Sequence, residues 1–200
     1  MMKLILLAGS IFLLPAFSVS QPPAPTLDLS TETKMDREDV YFLSEMNEKT
    51  LPILTGEAQK RYWHVMAGRS TPDDPTPFKP AGSEYDYQWL GSDVDTKEEF
   101  LAYFEAVYTK ERAEDFLKKQ MENKTILEIN GKLAKIVGDS GSILEWDKIK
   151  PTLVSETPTE KVYSCKVSNG EEEFASIREI KVRLVEGAGW KLDSEVQSVK

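Results

Sequence analysis

The chain has 200 residues, with 25 basic and 34 acidic side chains and a net charge of −9. That balance argues against nucleic acid or another polyanion as partner, because phosphate backbones are bound through lysine and arginine. A single cysteine, Cys165, excludes an intramolecular disulfide, so a folded domain must rest on its core.

At the start, Lys3 precedes an apolar run from Leu4 to Leu14, Pro15 ends it, and Ser18-Val19-Ser20 offers small side chains to a signal peptidase. This pattern predicts a secretory signal peptide over residues 1–20. The run is short for a span of about 20 apolar residues, and no cysteine near the cut could carry a lipid. The expected product is secreted, extracellular or wall-associated, with no membrane attachment after cleavage. Loss of Lys3 leaves 24 basic against 34 acidic residues, a charge of −10.

Residues 21–34, with Pro22, Pro23 and Pro25, read as a flexible leader. One domain is expected over residues 35–200, helix-rich from 35 to 123 and β-rich from 124 to 200. Its first helix should start near Asp36 and carry Val40, Phe42, Leu43 and Met46. A second should be capped by Thr55, carry Ala58, Tyr62, Val65 and Met66, and end at Gly68. Arg69 to Ser83, with Pro72, Pro75, Pro77 and Pro80, must be a loop. Glu84 to Trp89 alternates polar and aromatic residues and predicts a strand with Tyr85, Tyr87 and Trp89 on one face.

Both Asp95…Glu98 and Thr96…Glu99 fit a capping box, so a helix begins there and lines one face with Phe100, Leu101, Phe104, Val107 and Tyr108. Thr109 can cap the next helix, which uses Ala113, Phe116, Leu117 and Met121. Strands follow: Thr125 to Ile129 and Lys132 to Val137 flank Asn130-Gly131, a pair whose tolerance of positive φ marks a two-residue hairpin. Further strands are expected at Ile143–Ile149, Thr152–Glu156, Lys161–Val167, Phe174–Val185 and Trp190–Leu192. Helices with one early strand, then an antiparallel meander, define an α+β fold, read here as two-lobed. Cys165 lies in an alternating strand and reads as a small buried residue rather than a reactive thiol.

Gly138-Asp139-Ser140-Gly141 matches the letters around the nucleophile of trypsin-like serine proteases. Catalysis would need a base beside that serine and a group to orient it. The only histidine, His64, lies in a helical stretch, the helices exclude a double β-barrel, and Ser142-Ile143 replaces the Gly-Pro that continues the protease signature. No enzyme is read from the chain. His64 has no second histidine or cysteine cluster to form a metal site, and Asp93-Val94-Asp95 lacks the glycine of a calcium loop. No metal or cofactor is expected. Glu171-Glu172-Glu173 reads as a solvated turn. The glycine-containing segment itself is either a mobile connection with left-handed positions or a loop that plugs another protein's site.

Three separated segments, "YDYQWLGSDVDTKEEFLAYFEAVYTKERAEDF", "INGKLAKIVGDSGSILEWDK" and "GWKLDS", resemble the bacterial DL-endopeptidase inhibitor family (IseA-like), from about Arg61 to the end. The resemblance implies a secreted, two-lobed α+β inhibitor of cell-wall DL-endopeptidases, autolysins that cut peptidoglycan stem peptides with a cysteine nucleophile. It also implies that a glycine-containing loop enters the enzyme cleft; by position that loop is Gly138, Asp139, Ser140 and Gly141. The expected partner is a basic cysteine peptidase, attracted by the acidic chain, which is expected to act as a monomer. The alternative is a cystatin-like or NTF2-like ligand-binding module with a pocket between helix and sheet. A hydrolase would need His64 within reach of Ser140.

Overall fold

Helix α1, Leu51–Met66, begins where Pro52 supplies a preset φ and needs no N–H partner. The computed structural model describes residues 42–67, 76–138, 144–170 and 176–196. Its other helices are α2, Lys97–Glu105, and α3, Lys110–Glu122. One antiparallel sheet has the order β1-β3-β2, from Tyr87–Trp89, Lys132–Ile136 and Ile126–Ile129. A second is the antiparallel meander β4-β5-β6-β7, from Glu145–Glu156, Glu160–Ser168, Ser176–Val185 and Gly189–Leu192. The fold is α+β with a β meander, as the order of elements in the sequence implies.

Several local signals operate as read. Thr96 accepts from the Glu99 N–H while Glu99 reaches back to the Thr96 N–H, so the capping box that forms is Thr96…Glu99. Asp95 instead takes the Lys132 ammonium at 2.7 Å. Asn130 and Gly131 hold φ of 54° and 81°, the values a type I′ turn needs between β2 and β3. Thr109 is the N-cap of α3, although its hydroxyl donates to Asp193 rather than capping the helix.

Four expectations are corrected. Phe42 to Met46 is not helical. Its main chain serves the meander instead: the Leu43 carbonyl accepts the Trp190 N–H, and the Met46 carbonyl accepts Lys161 and the Tyr163 hydroxyl. The part of that expected helix before Phe42 lies outside the described residues, as does Gly68. Thr55 does not cap α1. The cap is Thr50, and Thr55 sits buried one turn in, donating to the Trp146 carbonyl at 2.5 Å. Glu84 to Asp86 is not strand. Tyr87 is buried, with its hydroxyl on the Lys124 carbonyl, Trp89 stacks on Phe78 at 4.7 Å, and Tyr85 is exposed. Finally, the strands expected on either side of Lys150-Pro151 are one strand, β4. Pro151 is tolerated because β4 is an edge strand, where a missing N–H breaks no ladder.

One apolar cluster runs from Met46 through the helices to Val196. Its centre is aromatic: Phe104 meets Phe100, Phe116 and Tyr108 at ring distances of 4.8, 4.9 and 6.2 Å. The last helical turn of α2 carries no basic residue of its own. Its free carbonyls are taken by cations from elsewhere, Arg61 on Tyr103 and Lys191 on Ala106. The free edge of β7 is closed by the α2–α3 joint, where Leu192 donates to Val107 and accepts from Thr109. Asp193 then gathers Thr109, Arg183 and Lys181 on its carboxylate.

Two outcomes follow from this packing. Gly189 holds φ +76°, and a Cβ there would lie 2.6 Å from the Leu43 carbonyl oxygen. Gly189→Ala should therefore cost about 1–3 kcal/mol from backbone strain alone, read as a lower urea midpoint. A variant as stable as the parent would contradict this account of β7. Cys165 is fully buried and its thiol is pushed up to about 12 by desolvation. The unfolded thiol ionises near pH 8.5, so the group stabilises the fold below that pH. This stability is lost as pH rises toward about 12. Native protein should resist a thiol reagent at pH 8 and react fully in urea; rapid native labelling would refute the burial.

Candidate functional site

The segment between β3 and β4 links the two sheets, and both of its ends are fixed. On the β3 side, Ile136 donates to the Thr125 carbonyl and Val137 to the Asp86 carbonyl, at 2.9 and 2.8 Å. The chain then leaves the sheet: Val137 is 46% exposed, and Gly138 is exposed with open space where a Cβ would stand. Asp139, Ser140 and Gly141 lie outside the described residues.

On the β4 side the chain is held by α1. Leu144 is buried and its carbonyl accepts the Gln59 amide at 2.5 Å. Thr55, one turn earlier on the same helix face, takes the Trp146 carbonyl. Between them Gly56 lets the helix backbone approach β4 so closely that a Cβ would lie 2.8 Å from the Asp147 Cβ. Helix α1 therefore shields the entry of β4, which would otherwise be a bare sheet edge.

This end of the meander is polar. Glu145, the first residue of β4, faces Ser168 at the end of β5 and pairs with Lys148 at 2.5 Å. The Lys148 hydrogen bond lowers the Glu145 carboxyl below its usual range, and Glu145 raises the Lys148 ammonium in turn. The connection containing Glu171, Glu172 and Glu173 leaves from Gly170 at this same end; those glutamates are outside the described residues.

The histidine has a different setting. His64 Nε2 lies 2.7 Å from Asp93 Oδ2, and its ring is 5.3 Å from that of Tyr103. Arg61 stacks over Tyr103 at 4.5 Å and reaches Glu57 at 3.3 Å. Burial pushes the Tyr103 hydroxyl up to about 12, so it stays protonated at neutral pH. The described groups around His64 thus tie α1 to α2 and to the turn before α2. Among the described residues, no group of three or more His, Cys, Asp or Glu side chains could hold a metal ion. Nor is any described helix long and apolar enough to cross a membrane.

A groove of about 610 Å³ lies at the other end of β4, lined by Met46, Glu156, Pro158, Lys161, Leu184 and Trp190 among others. It is a depression open to solvent beside the β4–β5 hairpin. It is not the enclosed pocket between helix and sheet that a small-ligand module would need.

The alternation of "LAKIV" places Lys135 in a strand but does not reveal that it is only 5% exposed; the signal available is a charge inside an otherwise apolar run.

Residues 42–195 match the IseA DL-endopeptidase inhibitor family. The chain is also similar to the uncharacterized protein YoeB of Bacillus subtilis (strain 168), with 25% identity over 153 residues, which cover 74% of this chain and 81% of YoeB. The family match spans α1, both sheets and the segment between them, from Phe42 to Glu195, and on that ground this chain belongs to the IseA DL-endopeptidase inhibitor family.

Proposed function

We propose that this protein is a secreted inhibitor that blocks the cleft of a cell-wall DL-endopeptidase with Gly138, Asp139, Ser140 and Gly141. The observation that carries this reading is the exit of the chain at Val137 and Gly138. The chain, exposed at Val137 and Gly138, leaves one sheet there and is anchored again by Gln59 and Thr55 at the entry to the other, and the sequence between carries a second glycine, Gly141. A loop fixed at both ends loses less freedom on binding than a free tail, so more of its contact energy appears as affinity. Its glycines can follow an extended, substrate-like path in a narrow cleft.

The protein is proposed to have no hydrolytic activity of its own and to act as a monomer outside the cytoplasmic membrane. The apolar run Leu4 to Leu14 supports export. The engagement of His64 by Asp93 supports a structural role for the single imidazole. The charge of −9 suits a basic peptidase. Blocking such an enzyme would slow cleavage of peptidoglycan stem peptides.

Wall digestion by a purified DL-endopeptidase should slow when the protein is added. Replacing Gly138 and Gly141 together by proline removes two donors and fixes φ. That variant should stay folded and lose inhibition. Asp139→Ala should weaken binding by about 1–3 kcal/mol if its carboxylate accepts a charge-assisted bond. A folded double-proline variant that inhibits like the parent would place the contact elsewhere.

Salt provides an independent check. The association rate with a basic endopeptidase should fall as ionic strength rises tenfold, while dissociation changes less. A flat association rate would remove the steering role assigned to the acidic surface.

A further inference from the structure

Among the described residues, two aromatic side chains are largely exposed, Phe42 and Tyr85. Phe42 is the first described residue, whereas the backbone around Tyr85 is held on both sides. Before it, the Ser83 N–H closes a turn on the Pro80 carbonyl. The Ser83 hydroxyl then donates to the Tyr85 carbonyl at 2.9 Å and lies 3.0 Å from the Tyr85 N–H. After it, Tyr87 and Phe78 exchange two backbone hydrogen bonds, both at 2.8 Å, and the Asp86 carbonyl accepts the Val137 N–H. The neighbouring rings are occupied by the fold: Tyr87 is buried and Trp89 stacks on Phe78. The Tyr85 ring, 56% exposed on this fixed backbone, is turned to solvent instead.

Its place in the fold gives that ring a use. Pairing of β1 with β3 sets Tyr87 opposite Ile136, and the bond from Val137 to Asp86 carries the pairing one residue further. Tyr85 therefore stands at the end of the sheet where the chain leaves through Val137 and Gly138. A Cβ on Gly138 would meet nothing within 4 Å, so this exit is open. Glu84 and Asp86, on either side of Tyr85 in the chain, are exposed, and neither forms an ion pair with a described residue. An aromatic face with free carboxylates beside it is suited to a cation: the ring attracts the charge, and a carboxylate accepts its N–H groups. We propose that Tyr85, with Glu84 and Asp86, is a second anchor of the contact with the endopeptidase and receives an arginine or lysine side chain beside the enzyme's cleft. This rests on the reading of the protein as an endopeptidase inhibitor whose contact starts at Gly138.

The physics favours this position for an anchor. A tyrosine has few rotatable bonds and a large amphipathic surface, so it gives contact area at little entropic cost. Backbone hydrogen bonds on both sides lower that cost again. Covering the ring would exclude water from the cation and strengthen its bonds to the carboxylates. The two carboxylates act mainly on encounter, and the ring on how long the complex lasts.

The test is Tyr85→Ala and Tyr85→Phe in the otherwise unchanged protein, with binding to a purified DL-endopeptidase and the thermal midpoint both measured. Tyr85→Ala should keep the parent's thermal midpoint and raise Kd at least tenfold, mainly through faster dissociation. Tyr85→Phe keeps the ring face and should bind within about threefold of the parent. Glu84→Gln with Asp86→Asn should slow association at low salt and leave the midpoint unchanged. A Tyr85→Ala protein that binds within twofold of the parent would overturn the proposal. So would a fall in its midpoint of several degrees, because the ring would then be structural. Equal losses in Tyr85→Phe and Tyr85→Ala would assign the contact to the hydroxyl and overturn the cation site, as would unchanged association in the double carboxylate variant. If the parent itself binds no endopeptidase, the proposed function fails and this inference with it. If the parent binds and Tyr85→Ala binds equally, only the role of Tyr85 fails.

Discussion

The short strand β7 is the constraint on which the described structure depends. All four of its residues are buried, and together they join it to three other parts of the chain. Gly189 lets the Leu43 backbone approach to a distance no side chain would permit, and Trp190 donates to the Leu43 carbonyl. Lys191 reaches the end of α2, while Leu192 bonds the α2–α3 joint on one edge and lies in register with Val182 on the other. Buried main-chain groups must be paired, so a strand at this position cannot shift without leaving several donors and acceptors bare. The segment before α1, the helices and the meander are thereby held to one register.

Helix α1 has a matching role at the other edge of the meander. Gly56 brings it against β4, and Thr55 and Gln59 occupy carbonyls that an edge strand would otherwise offer to another chain. At its C-terminal end the same helix contributes Arg61 to α2 and His64 to Asp93. One helix therefore fixes the entry to β4 and the turn that backs β3, whose Leu133 N–H is taken by the Asp95 carbonyl. The chain between β3 and β4 starts and ends on this rigid frame. Function assigned to such a connection draws on preorganised ends.

Polar groups of the described interior link distant elements. Asp193, Arg61 and Lys191 all have partners from distant elements, and each satisfies a helix end or a strand edge. Lys135 buries its stem between Ile126 and Gln88 of the flanking strands. Cys165 behaves as an apolar side chain, with its thiol kept protonated by burial. The single histidine pairs with Asp93 and lies against Tyr103.

What the sequence determined by itself were the features with a local cause. The Thr96…Glu99 box, the Asn130-Gly131 turn and the alternation of β5 depend on a few neighbouring residues, and all three form where the letters place them. The α+β order and the family resemblance were legible for the same reason. Tertiary structure decided whatever depends on partners far along the chain. Phe42 to Met46 has helical spacing, yet its carbonyls serve Trp190 and Lys161, more than a hundred residues away. Thr55 has the chemistry of a cap, but Trp146 claims its hydroxyl, and Pro151 could not be placed in a strand until β4 proved to be an edge. The ends of the candidate loop show the same division: its glycines are visible in the sequence, whereas Gln59 and Thr55 gain their meaning only when α1 packs against the entry of β4. Local hydrogen bonds are encoded within a few residues, but burial and long-range pairing are properties of the assembled core.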